Sequence, residues 1–91
     1  MLFVALLEVT GGTPEERIAR RVEWQHPEGI KPIAEYWLQN DDYTVVSIFE
    51  ADDSAPIFAI SAQWGDVFNI KVVPAVTAEQ GLKLAQQMMA G

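Results

Sequence analysis

The chain has 91 residues, enough for one hydrophobic core and no separate substrate domain, so it is read as a single domain spanning 1–91. Its formal net charge of −7, with only six Lys and Arg, leaves no basic stripe to neutralise phosphates, which argues against nucleic acid or an anionic membrane surface as partner. There is no cysteine, which excludes disulfides, thiolate nucleophiles, zinc fingers and iron–sulfur ligation.

Leu2 to Thr10 is apolar on both alternating faces until Glu8 and reads as a central strand. The opening apolar run has no basic leader and is too short to cross a bilayer, so neither a signal peptide nor a span is expected. The expected compartment is the cytoplasm. Gly11-Gly12 ends the strand, and Thr13-Pro14-Glu15-Glu16 has the spacing of a capping box for a helix running to about Gln25. On that helix Ile18, Val22 and Gln25 share a face with Arg21 and Trp24 beside it. His26-Pro27-Glu28-Gly29 stops it.

Lys31 to Gln39 alternates, with Ala34, Tyr36 and Leu38 on one face and Ile33, Glu35 and Trp37 on the other. The first set is expected to face the helices. Asn40-Asp41-Asp42 is turn chemistry, and Tyr43 to Phe49 returns as the second strand of a hairpin. Asp52, Asp53 and Ser54 offer caps for a helix through Ile57, Ile60 and Trp64, closed by Gly65-Asp66. Val67 to Val73 forms the last strand, with Phe68, Ile70 and Val72 on one face, and Pro74 is expected to end it. Thr77 and Gln80 make a second capping box for a helix carrying Leu82, Leu84, Ala85, Met88 and Met89, which packs on its own domain or on a partner.

The order β-α-β-β-α-β with a C-terminal helix predicts an α+β, ferredoxin-like domain with a four-stranded antiparallel sheet. Two helices cover one face of such a sheet. The first and third strands are apolar on both faces, so the second face needs a cover, and a second copy of the chain is the simplest. Ile33, Trp37, Val45 and Phe49 are the expected homodimer contacts.

The stretches Trp24-Gln25-His26-Pro27-Glu28-Gly29-Ile30-Lys31, Glu35-Tyr36-Trp37, Glu50-Ala51-Asp52-Asp53 and Trp64 through Phe68 to Val73-Pro74 resemble a family of small prokaryotic proteins classed as a domain of unknown function, family 3303. The resemblance covers nearly the whole chain. It implies a ferredoxin-like fold of the dimeric α/β-barrel kind and brings no established activity with it. The wider group of that fold contains cofactor-free monooxygenases and an isomerase, which is an analogy of fold alone.

No phosphate loop, nucleophile elbow or paired-histidine motif is present. Gly11-Gly12, between a strand and a helix, reads as a plain tight turn before it reads as an anion site. The topology gathers His26, Glu28, Lys31, Glu50 and Asp52 at one end of the sheet with Trp24 nearby. A histidine among carboxylates suits a general base or a hard-ligand metal site, while capping by Asp52 or Asp53 and a helix-dipole role for His26 explain the same residues. Tyr36, Trp64 and Phe68 are expected to form an aromatic layer between sheet and helices, either a small-molecule pocket or simply core. Any ligand site is expected at the His26 and Asp52 end rather than the hairpin end, with no metal and no cofactor. The sequence thus supports a homodimeric binding or accessory protein that holds a small apolar or aromatic ligand without chemistry, with a cofactor-free enzyme or a structural interaction module as alternatives.

Overall fold

The computed structural model describes residues 1–40 and 42–90. Asp41, central to the expected hairpin turn, lies outside the described residues. The elements are β1 (Leu2–Val9), α1 (Pro14–Glu23), β2 (Lys31–Trp37), β3 (Val45–Glu50), α2 (Ser54–Trp64), β4 (Phe68–Ala75) and α3 (Ala78–Ala90). The strands form one antiparallel sheet in the order β2-β3-β1-β4, which is the ferredoxin-like arrangement the sequence predicts.

Local chemistry sets the helix starts. Thr13 accepts from the Glu16 amide while the Glu16 carboxylate accepts from the Thr13 amide, and Thr77 and Gln80 repeat the arrangement ahead of α3. Asp53 caps α2 by accepting from the Ala55 amide. Gly12 and Gly29 have positive φ values of 72° and 95°, which a side chain would strain, and these two glycines turn the chain into and out of the α1 region. β4 continues through Pro74 to Ala75 instead of ending there, because β4 is an edge strand with one row of backbone groups unpaired.

The core lies on one face of the sheet. Ala5 and Leu7 of β1, Phe49 of β3 and Phe68 of β4 meet Ile60 and Trp64 of α2, with Ala51 beside them. Trp24 packs edge-on against Trp64 at 5.7 Å between ring centroids, and Trp64 meets Phe68 at 5.8 Å. Val45 and Phe49 therefore belong to the chain's own interior. Their expected role as dimer contacts is corrected, since Phe49 is only 1% exposed and both side chains fall on the helix-covered face.

The facing of β2 is also the reverse of the sequence expectation. Glu35 sits opposite Ser47, itself opposite Ala5, and Trp37 sits opposite Val45, so Glu35 and Trp37 share the face of the buried residues. Ala34 and Tyr36, opposite Ile48 and Val46, share the other face. The register shifts between Pro32 and Ala34, and such a bulge changes which side chains point up. Alternation is visible in a sequence; its sign requires the pairing.

The second sheet face carries Val4, Leu6, Ala34, Tyr36, Val46, Ile48 and Val73 with no element of the described chain over it. α3 does not cover it: α3 buries no residue, and Leu82, Met88 and Met89 are 65, 82 and 88% exposed. The radius of gyration is 15.4 Å, against about 12 Å for a compact chain of this length. No described helix is long and apolar enough to cross a membrane.

Phe49→Ala should destabilise the fold by about 3–5 kcal/mol, the usual cost of emptying an aromatic core site. The midpoint of urea unfolding, followed by far-UV circular dichroism, measures this.

Candidate functional site

The central strands carry small side chains where they pass beneath α1. Ala5 and Ser47 are direct neighbours in β1 and β3, and the row continues to Glu35 of β2. Above this row α1 presents only Pro14 and Ile18 as apolar side chains. It buries no residue, and Val22 is turned out to solvent at 77% exposure. Arginines hold it instead. Arg17 Nη1 donates to the carbonyls of Gly11 and Gly12 at 2.7 and 2.8 Å. Arg20 donates to both Asp66 oxygens, at 3.1 and 3.0 Å, and to the Gln63 carbonyl, with its guanidinium 4.6 Å from the Trp64 ring. Arg21 clamps Glu35, Nε reaching Oε1 and Oε2 at 3.2 and 3.1 Å and Nη2 reaching Oε1 at 3.1 Å. Charge-assisted, bidentate bonds of this kind fix geometry at a distance that van der Waals packing would not allow.

The small floor and the propped helix leave a cavity of about 380 Å³, within the roughly 300–1,000 Å³ range of small-ligand sites. Leu7, Val9, Phe49, Ile60 and Phe68 give it an apolar body, and all three tryptophans of the chain, Trp24, Trp37 and Trp64, stand in its wall. Arg17, Arg21, His26, Glu35 and Ser47 supply polar groups. Arg21, Glu35 and Trp37 also border a shallow outer depression beside Val22, so the ion pair stands where the cavity meets the surface.

The charges at this rim are tuned by their contacts. Burial would raise the Glu35 carboxyl, but hydrogen bonds from Arg21 and from Trp37 Nε1, the latter at 2.8 Å, together with the Arg21 charge hold it below the usual carboxylate range. His26 lies against Trp24, with ring centroids 4.6 Å apart. Burial and then the Arg21 charge lower its pKa, while Glu35 pulls the other way, so the imidazole is neutral at pH 7. A neutral imidazole can accept a proton or a hydrogen bond.

Of the residues singled out from sequence, Trp24, His26, Trp64 and Phe68 line this cavity. Glu28, Lys31, Tyr36, Glu50 and Asp52 do not. Tyr36 is on the opposite sheet face, Lys31 pairs with Glu50 at 3.9 Å on the surface, and Asp52 is solvent-exposed 3.7 Å from the N-terminal ammonium. Trp37, expected at a dimer surface, is part of the cavity wall, whereas Ile33 sits exposed at the bulge. The cavity also reaches Leu38, Gln39 and Thr44, so it extends to the hairpin end that the sequence reading set aside. Arg17, Arg21, Glu35 and Ser47 were missed as site residues. The spacing of Arg17, Arg21 and Trp24 along one helix face was the available signal. Among the described residues no three carboxylate or imidazole groups converge as a metal site.

The family profile described as "Domain of unknown function (DUF3303)" matches residues 1–89. The chain belongs to the DUF3303 family. No curated protein and no solved structure matches it.

Acid should weaken the fold through His26. Its folded pKa is lowered, so the unfolded chain takes up this proton more readily, and stability is lost as pH falls from about 6.5 toward the folded value. The urea midpoint is expected to drop between pH 7.5 and 5.5, and to drop less in His26→Gln.

Proposed function

We propose that the protein is a small-molecule-binding homodimer whose ligand occupies the cavity between α1, α2 and the sheet. The observation that carries this reading is the cavity's composition: an apolar, tryptophan-rich body with polar groups confined to a few positions. Rings that merely filled a core would close over Ala5 and Ser47; here the bidentate Arg21–Glu35 pair and the Arg17 contacts keep α1 away from that floor.

The dimer is supported by two unpartnered apolar surfaces in one small chain, the open sheet face centred on Val4, Leu6, Val46 and Ile48 and the projecting α3. A soluble chain gains by burying such surfaces, and a second copy offers both at once. The contact centres on these residues rather than on the Val45 and Phe49 first expected, and it should bury on the order of 1,600 Å² in total. A cofactor-free enzyme of the monooxygenase or isomerase type is the alternative, favoured by one observation: a neutral His26 in the same cavity wall as an ionised Glu35, an acceptor suited to removing a proton from a bound substrate.

Because all three tryptophans line the cavity, a neutral aromatic probe such as 2-naphthalenemethanol should quench intrinsic fluorescence saturably. Ser47→Leu, which fills the floor, is expected to weaken that binding at least tenfold in a protein of unchanged circular dichroism. Unchanged affinity in Ser47→Leu would move the ligand elsewhere.

Leu6→Lys tests the dimer. It should convert a dimer to a folded monomer in multi-angle light scattering at micromolar concentration, since the charge falls on a surface that the isolated chain leaves accessible.

A further inference from the structure

We propose that the ligand is a small carboxylic acid bound as its anion, an aromatic or branched aliphatic body in the cavity with its carboxylate at the arginines of α1. This rests on the cavity being the ligand site and adds the chemical class.

Charge around the cavity runs opposite to charge on the chain. The protein as a whole carries −7, yet two of its six basic side chains, Arg17 and Arg21, line this one cavity against a single carboxylate among the described residues, Glu35. With His26 neutral, the lining retains an unmatched positive charge. The guanidiniums also retain donors. Arg17 engages through Nη1, and Arg21 through Nε and Nη2, so Nη2 of Arg17 and Nη1 of Arg21 have no hydrogen-bond partner among the described residues. The two arginines are one helical turn apart on the same face of α1, a spacing that lets their free nitrogens converge on one group. A carboxylate is the planar, two-oxygen acceptor that guanidinium recognises best.

Alternative ligand charges fit less well. A cation would meet two guanidiniums, and its only counter-charge among the described residues, Glu35, already accepts from Arg21 and from Trp37. A fully apolar molecule would leave an arginine charge facing hydrocarbon without a partner. A phosphate monoester or dicarboxylate brings a second negative charge that the lining does not match. One carboxylate balances the site.

The experiment compares two isosteric probes, 2-naphthoate and 2-naphthalenemethanol, by tryptophan fluorescence and calorimetry at pH 7.5 on the full chain. The acid is expected to bind at least tenfold more tightly, and raising NaCl from 20 to 300 mM (roughly fourfold shortening of the screening length) should weaken the acid and leave the alcohol nearly unchanged. Arg17→Gln should reduce the acid-to-alcohol ratio about tenfold. Glu35→Gln, which removes the carboxylate competing for Arg21, should raise it. These ratios report on charge recognition, because a general loss of packing lowers both affinities together. Equal binding of the two probes, or tighter binding of the alcohol, overturns the acid assignment and leaves the cavity as the ligand site. Failure of both probes overturns the cavity reading as well. Acid binding that persists in Arg17→Gln with an unchanged ratio also refutes the proposal.

Discussion

The site depends on how α1 is attached. An amphipathic helix on a sheet ordinarily buries an apolar stripe and settles at the distance its side chains set. α1 buries nothing, and each of its three arginines reaches a different part of the structure: the Gly11-Gly12 turn, the C-terminal end of α2, and β2. Guanidinium groups make its polar contacts with the rest of the chain, two of them to carboxylates, and the cavity lies between it and the strands beneath.

The sheet beneath is shaped to match. Ala5 and Ser47 keep the middle of the floor low, while Phe49 at one end of β1 and Phe68 at the other raise its ends, and Trp64 and Trp24 continue from Phe68. The bulge in β2 completes the enclosure, since it presents Glu35 and Trp37 to the helix side, where Glu35 receives both Arg21 and the Trp37 indole. One irregular strand position thus couples backbone register to electrostatics: it decides whether the carboxylate that holds Arg21 faces the helix at all. The same contacts shape the titration of the rim, keeping Glu35 ionised and His26 neutral near pH 7.

The opposite side of the sheet follows a different logic. Val4, Leu6, Val46 and Ile48 make its middle apolar, with Glu8, Asn69 and Lys71 on the same face, yet neither α1 nor α2 crosses to it, and α3 projects away after the edge strand β4. The open sheet face and α3 are two apolar surfaces that no element of the described chain covers.

The element order was legible in the sequence because it rests on short-range signals. Alternation marked the strands, and Thr13, Asp53 and Thr77 marked the helix starts through hydrogen bonds to residues two or three positions away. The charge imbalance, the absence of cysteine and the doubly apolar β1 were equally plain. Trp24, His26, Trp64 and Phe68 could be nominated for the site because rings and an imidazole flank the helices in the sequence. Which face each strand presents was a tertiary decision. A period of two has no sign until strands pair, and the bulge near Ile33 set the facing of β2, moving Trp37 and Glu35 into the cavity and Tyr36 out of it. The role of the arginines was likewise hidden, since Arg21 reads only as a neighbour of the helix's apolar face until Glu35, fourteen residues beyond it, is brought across to meet it. Local chemistry wrote the elements, and long-range pairing built the cavity.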